Sequence, residues 1–154
     1  MSNELVAIHE YLPSMSEHSI SKVRQIEALN AQVPQIDIGT SHVIHGGMYS
    51  RTIMIPAGVL LTGALIKIAT LLIVQGDVLV YIGDKTIELS GYNVLPASAN
   101  RKQAFVTKTD TYLTMIFPTD ARNIKDVEME FTDESDVLIS RKDSSNNEIN
   151  ITGE

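Results

Sequence analysis

The chain has no cysteine and no tryptophan, and its aromatic side chains are limited to five tyrosines and three phenylalanines in 154 residues. The absence of cysteine excludes disulfides, thiolate metal sites and cysteine nucleophiles. It also fits a reducing compartment, so we expect a cytoplasmic protein. With 44% hydrophobic residues the chain suits one compact domain with a core of its own.

Positive charge is scarce as well. Twelve lysines and arginines stand against nineteen acidic residues, which gives a net charge of −7. Nucleic acids and anionic membranes bind to clustered basic surfaces, and this balance argues against such a surface. No apolar run approaches membrane-spanning length, and no charged leader precedes an apolar run. We therefore expect neither a nucleic acid nor a membrane as partner.

Residues 1–34 are predicted to hold an amphipathic helix that packs on the rest of the chain or on a partner subunit. Its apolar positions follow one another at intervals of three: Ile20, Val23, Ile26 and Leu29. Ser19 or Ser21 is suited to cap its start, and Pro34 ends it.

Residues 35–141 show a different pattern, with short β-rich runs separated by turn residues. The turn signals are Gly46-Gly47, Pro56-Ala57-Gly58, Gly76-Asp77, Gly83-Asp84 and Ser90-Gly91. This spacing is typical of an antiparallel sandwich or barrel. We therefore predict a mainly β domain over these residues.

A short second helix is predicted after the barrel. Thr119 is placed to cap residues 120–131, whose apolar positions are Ile124, Val127, Met129 and Phe131. The remaining residues, 142–154, are polar and have no core-forming pattern, so we expect a flexible tail.

Several of the predicted strands are apolar on both faces. Leu71 and Ile73 alternate with Leu72 and Val74, for example. Only one face of an antiparallel barrel strand points inwards, so the other must be covered by a helix, a second sheet or another subunit. We expect a homo-oligomer, either a dimer or a larger assembly.

The segment RTIMIPAGVLLTGALIKIATLLIVQGDVLVYIGDKTIELSGYNVLPASANRKQAF resembles the two-motif core of the cupins. The longer run from HGGMYSR to FTDESDVLISRK resembles cupin-like proteins carried by bacteriophages and prophages, over about residues 36 to 142. The resemblance implies a jelly-roll barrel, also described as a double-stranded β-helix. For a phage-carried protein it implies the host cytoplasm.

The metal ligands of the cupin motifs are missing from this chain. Metal-binding cupins have a His-x-His pair and a Glu in the first motif, and Pro-x-Gly-x-x-His in the second. Between Gly58 and Gly76 there is no His and no Glu, while Ser98 stands at the glycine position of the second motif and Arg101 at its histidine. A transition-metal site needs three or four converging ligands, so we expect neither a metal nor another cofactor.

The resemblance implies that Arg101 enters the barrel cavity, with Ser98 and Gln103 as neighbours. A buried guanidinium needs a partner, and its planar fork matches a carboxylate or a phosphate. An anionic ligand would supply that partner, and an internal Asp or Glu is the alternative. Lys67 either reaches the same cavity or points outwards from an apolar strand.

Two further candidates precede the cupin motifs. Period-two alternation in MYSRTIMI puts Tyr49 and Arg51 on one face, either at the cavity mouth or at an exposed strand end. His45 is expected to be a hydrogen-bonding pocket residue. A metal shared by His42 and His45 is disfavoured, because their spacing suits a helix and the local pattern is strand and turn.

Three functions remain open. We favour non-enzymatic binding of a small anionic molecule, with a nucleotide among the candidates; a phage protein of this kind would sequester a host signalling nucleotide. No catalytic residue is assigned under this hypothesis. A sugar or sugar-nucleotide isomerase or epimerase is the alternative, and it would need His45 or Tyr49 as general base. The third is a virion or assembly component.

Overall fold

The computed structural model describes residues 11–142 and 144–154. The strands in this part of the chain are β1 (Thr40–His45), β2 (Met48–Ile55), β3 (Leu60–Thr62), β4 (Thr70–Gln75), β5 (Val78–Tyr81), β6 (Thr86–Leu89), β7 (Tyr92–Ala97), β8 (Ala104–Thr107), β9 (Thr111–Pro118) and β10 (Asn147–Ile151). The helices are α1 (Glu17–Asn30), α2 (Ile124–Phe131) and α3 (Ile139–Lys142), with 3-10 turns at Ser135–Val137 and Ser144–Asn146.

The strands form two sheets that face each other. One has the order β10-β1-β2-β9-β4-β7, and the other β3-β8-β5-β6. Within them, the eight strands β2 to β9 pair antiparallel as 2-9-4-7 and 3-8-5-6, which is the double Greek key of a jelly roll. The predicted mainly β, jelly-roll fold is confirmed.

Alternate side chains of both sheets fill the space between them. On β4, Leu72 and Val74 are buried while Leu71 is about half exposed. Val78 and Val80 of β5 are fully buried from the opposite sheet. Each strand therefore contributes one face to the core, as the period-two pattern requires.

Helix α1 begins earlier than expected, and neither Ser19 nor Ser21 caps it. Ser16 is the N-cap, and its hydroxyl accepts from the Ser19 backbone N–H at 3.1 Å. Ser19 itself is buried against Gly83, whose φ of +94° and lack of a Cβ allow the close approach. Val23 is fully buried, whereas Leu29 is 67% exposed, so the helix packs on the barrel through a narrower face than its spacing predicts.

Helix α2 is present, but its cap is Asn123 rather than Thr119. The Asn123 side chain accepts from the Asp126 N–H at 2.9 Å, while the Thr119 hydroxyl accepts from the Ala121 N–H and donates to Glu130. Met129, expected on the apolar face, is 54% exposed. Across the described ranges, no helix combines the length and apolar character needed to cross a bilayer.

The C-terminal residues differ from the expected flexible tail. Residues 147–151 form β10, which adds a parallel strand beside β1 with Asn147 opposite Thr40 and Ile151 opposite Ile44. An edge strand is held by backbone hydrogen bonds, which any sequence can make. The polar side chains of residues 147–151 therefore did not predict a strand. The proposed division at residues 34 and 141 stays a prediction, and residues 1–10 of its first segment lie outside the described residues.

Candidate functional site

A cavity of about 150 Å³ lies between the two sheets. Most of its wall is aliphatic or aromatic, with contributions from Ile53, Leu61, Ile66, Leu72, Phe105 and Leu113. The polar side chains on it include Arg51, Arg101 and Gln103. An apolar space with a few converging donors is the usual form of a small-molecule site.

Arg101 reaches the cavity from the connection between β7 and β8. Asn100, in the left-handed region at φ +61°, turns the chain just before it, and Ile66 pairs with Arg101 in an isolated β-bridge. The side chain is 1% exposed. Its guanidinium donates to the carbonyl oxygens of Ile68 (3.2 Å), Ala97 (3.3 Å) and Ser98 (2.8 Å), to Thr70 Oγ1 (2.8 Å) and to Met115 Sδ (3.8 Å).

All of these acceptors are neutral. Within residues 11–142 and 144–154, no carboxylate lies within ion-pair distance of Arg101. Burial lowers the pKa of Arg101 to about 10, so the guanidinium still carries its charge at neutral pH. The barrel therefore contains a buried positive charge without a counter-ion from these residues.

Two buried donors, in residues that line the cavity, have no acceptor among the described residues. They are Nε of Arg101 and Nε2 of Gln103. Both side chains are at least nine-tenths buried, and both line the cavity. An unpartnered buried N–H is destabilising by about 1–3 kcal/mol, so an acceptor beside either of these two donors would stabilise the protein.

The next cation on the cavity wall, Arg51, is paired with a carboxylate. Arg51 donates to Glu128 Oε2 at 3.2 Å, and its guanidinium lies 5.6 Å from the centre of the Phe131 ring. Arg141 holds the second oxygen of Glu128, which is 1% exposed. The Glu128 carboxylate thus bridges the two guanidinium groups of Arg51 and Arg141.

Lys102, the residue after Arg101, belongs to a balanced cluster. Its fully buried ammonium lies 2.9 Å from Glu27 and 3.7 Å from Glu134, and Arg24 pairs with Glu134 at 3.1 Å. Burial alone would raise the pKa of Glu134, but the Leu65 N–H and the charges of Arg24 and Lys102 hold it below its ordinary value. Two cations face two carboxylates here, so the cluster adds no net charge to the cavity.

A buried network behind the cavity was missed from sequence. His42 is fully buried between the Tyr49 hydroxyl, 2.7 Å from Nδ1, and Asn147 Oδ1, 2.9 Å from Nε2. An amide oxygen only accepts, so Nε2 carries the proton and Nδ1 accepts from Tyr49. Desolvation is the main reason that the pKa of His42 is lowered. Asn147 reaches His42 because it lies on β10, and the sequence pattern did not predict that strand.

Of the seven residues predicted at the site, the structure brings Arg51, Arg101 and Gln103 together on the cavity wall. Three of the others lie close behind it or outside it. Tyr49 is fully buried and stacks on Phe131, with burial raising its pKa to about 12. Lys67 points outwards, away from the cavity, and its ammonium lies 2.7 Å from Asp133. Ser98 contributes only its backbone carbonyl, which accepts from Arg101.

His45 does not line this cavity. It is exposed at the end of β1, where Nδ1 lies 2.7 Å from the Thr152 hydroxyl and Nε2 lies 3.6 Å from Glu154. The alternation on β1 turns His42 inwards, and His45, three residues later, ends the strand on the opposite face. The two histidines therefore do not converge, and in the described ranges no three His, Asp or Glu side chains are grouped to hold a metal.

Comparison with known proteins gives similarity only at the level of three-dimensional structure. No family model matches the chain, and no curated protein matches it. The structural neighbours are cupin-domain proteins. A cupin superfamily protein from Desulfitobacterium hafniense is 17% identical, over 74% of this chain and all of that chain, with a TM-score of 0.45. KdgF from Halomonas sp. is 16% identical, over 62% of this chain and 90% of that chain, with a TM-score of 0.46. The Cnp3 cupin domain of Schizosaccharomyces pombe is 14% identical, over 58% of this chain and 66% of that chain, with a TM-score of 0.44.

Proposed function

We propose that the protein binds a small carboxylate in the cavity, without catalysing a reaction on it. The observation that supports this proposal is the buried, uncompensated charge of Arg101. A carboxylate beside Arg101 supplies the missing counter-ion, and its oxygens offer acceptors to the two unpartnered donors, Arg101 Nε and Gln103 Nε2.

The volume of the cavity favours a small ligand. About 150 Å³ is the size of a protein cavity that holds benzene, and it is well below the roughly 300 Å³ at which pockets for drug-sized ligands begin. A short-chain fatty acid or benzoate fits this space. A nucleotide is larger, so the sequestration of a host signalling nucleotide, suggested by the resemblance to phage-carried proteins, gives way to the sequestration or sensing of a small acid.

The contacts favour binding over catalysis. A general base has to be within hydrogen-bond reach of its substrate. Glu27 lines the cavity but pairs with Lys102, and Tyr49, with its raised pKa, lies behind Phe131. His45 is at the far end of β1. No observation thus favours an isomerase or epimerase.

Calorimetric titration with acetate, butyrate, hexanoate and benzoate tests the proposal. Separate titrations with cyclic nucleotides and sugar nucleotides test the alternative that the ligand is a nucleotide. Gln103→Leu removes one donor at nearly constant volume, and since Nε2 has no protein partner the fold should be retained. Loss of this charge-assisted hydrogen bond should weaken binding by about 10- to 100-fold.

The matched control is Gln25→Leu on the exposed side of α1, which should bind like the parent. Failure of every carboxylate to bind, or equal binding by Gln103→Leu, would contradict the proposal. Binding of a nucleotide alone would support the wider anionic class and exclude the small acid.

A further inference from the structure

Arginine charges at the cavity outnumber the carboxylates that face them. Arg51 and Arg101 line the cavity, and Arg141 joins Arg51 at the Glu128 carboxylate. Among residues 11–142 and 144–154, none of these three arginines lies within ion-pair distance of any carboxylate other than Glu128. Three positive charges thus stand against one negative charge, a surplus of two.

Burial makes this surplus matter. The side chain of Arg51 is 11% exposed and that of Glu128 is 1% exposed, so water screens this pair little. Arg141 is 26% exposed and lies closer to Glu128, at 2.5 Å, than Arg51 does at 3.2 Å. The single charge of Glu128 is therefore divided, and Arg51 is only partly compensated.

The other carboxylate on the cavity wall does not restore the balance. Glu27 pairs with the buried ammonium of Lys102 at 2.9 Å, and the neighbouring Glu134 pairs with Arg24 at 3.1 Å. These two carboxylates are matched by two cations of their own. The surplus belongs to the arginines on the side of β2 and β4.

Met115 connects the two arginines of the cavity wall. On β9 it lies directly opposite Arg51 of β2, and its sulfur is 3.8 Å from Nη2 of Arg101. The same Nη2 donates to Thr70 of β4, the strand on the other side of β9. The guanidinium of Arg101 thus lies over β4, two strand spacings, or about 10 Å, from the strand that carries Arg51.

We propose that the ligand of the cavity is a short dicarboxylate, with one carboxylate at Arg101 and Gln103 and the other at Arg51. This inference rests on the proposed function, because it takes the first carboxylate to bind beside Arg101. A dianion matches the surplus of two positive charges, whereas a fatty acid or benzoate matches half of it.

The geometry also limits the length of the ligand. A charge-assisted hydrogen bond of about 2.8 Å at each end of a span of about 10 Å leaves about 4 Å between the two carboxylates, as in a chain of about four or five carbons. Ile53 and Leu113, which pair with each other one inward row from Arg51 and Met115, line the cavity and suit the methylene groups.

Calorimetric titration of the full chain with acids matched in carbon number tests the inference: succinate against butyrate, and glutarate against pentanoate. A second carboxylate that found no partner would lose its hydration and bind more weakly than a methyl group. With Arg51 as its partner, the better of the two dicarboxylates should bind at least about 10-fold more tightly than its monocarboxylate. Its monomethyl ester, which lacks one charge, should lose this advantage.

Arg51→Gln is the variant that tests the second contact. It should abolish the preference for the dicarboxylate over the monocarboxylate, while Glu128 keeps its pair with Arg141. Arg122→Gln is the matched control, because Arg122 is exposed and the same charge is removed away from the cavity wall, so the preference should be retained. Circular dichroism checks the fold, and the comparison with the ester decides the matter if Arg51→Gln does not fold.

The outcomes separate this inference from the function on which it rests. If butyrate or pentanoate binds and neither dicarboxylate binds more tightly, the small-carboxylate function stands and the dicarboxylate is wrong. If no carboxylate binds, both fail. Inorganic phosphate that binds more tightly than either dicarboxylate would also overturn the inference, since both arginines would then hold one compact dianion.

Discussion

Nη2 of Arg101 donates to Oγ1 of Thr70 at 2.8 Å inside the barrel. This hydroxyl and three carbonyl oxygens hold the fork of the guanidinium, and none of them carries charge. Arg101 is therefore fixed in direction but not neutralised, and its Nε has no acceptor among the described residues. Geometry and charge together make it the centre of the candidate site.

The first prediction concerns this hydroxyl. Thr70→Val keeps the shape of the side chain but leaves a buried Arg101 N–H unsatisfied, so the free energy of unfolding should fall by about 1–3 kcal/mol. Urea denaturation measures it. Thr86→Val, on the exposed edge strand β6, is the control and should change stability by no more than about 0.5 kcal/mol. An equal effect of the two substitutions would show that the Thr70 bond does not matter.

The second prediction concerns pH. Burial lowers the pKa of His42 in the folded state below its unfolded value of about 6.5, so the unfolded state takes up the proton first. The contribution of neutral His42 is fully present above about pH 6.5, and it is lost as the pH falls towards the lowered folded-state pKa.

Urea denaturation of the parent should therefore give a lower free energy of unfolding at about pH 5.5 than at about pH 7.5. His42→Gln should reduce that difference, while His18→Gln, on the exposed side of α1, should leave it unchanged. A parent protein with the same stability at both pH values would contradict the assignment of a neutral, buried His42.

The third prediction concerns the carboxylate behind the cavity. Glu128→Gln removes the negative charge shared by Arg51 and Arg141, leaving the mostly buried Arg51 guanidinium uncompensated. Loss of one partner from a buried ion pair costs about 3–5 kcal/mol, and the thermal midpoint should fall accordingly. Glu88→Gln, which breaks the exposed pair with Lys108, should cost no more than about 1 kcal/mol. Similar melting of the two variants would exclude a stabilising role for the bridge.

The fold was predictable because its signals are local. Alternation along strands such as β4 identifies the inward side chains, and turn glycines such as Gly76 (φ +141°) and Gly83 (φ +94°) separate the strands. Features that depend on distant partners were not predictable. Ser19 looked like a helix cap, but it packs on Gly83, 64 residues away, and Ser16 takes the cap.

The site was predictable only in part. The resemblance to cupins predicted that Arg101 enters the barrel, and Arg101 lies on the cavity wall. Its predicted internal carboxylate partner is not found among the described residues, where carbonyl oxygens hold the guanidinium instead, and a ligand anion stays a proposal. Backbone acceptors leave no mark in a sequence. For the same reason β10 was missed, and with it Asn147, the residue that orients His42.

Binding of a carboxylate beside Arg101 and Gln103 can be followed by nuclear magnetic resonance of the arginine Nε–H and glutamine side-chain amide groups during titration with butyrate or benzoate. Arg101→Lys and Gln103→Leu assign the two signals. The Arg101 Nε–H and the Gln103 amide protons should shift downfield together and saturate at one ligand per chain, because both donors gain an acceptor. Saturation with neither signal moving, or no binding of any small carboxylate, would contradict it.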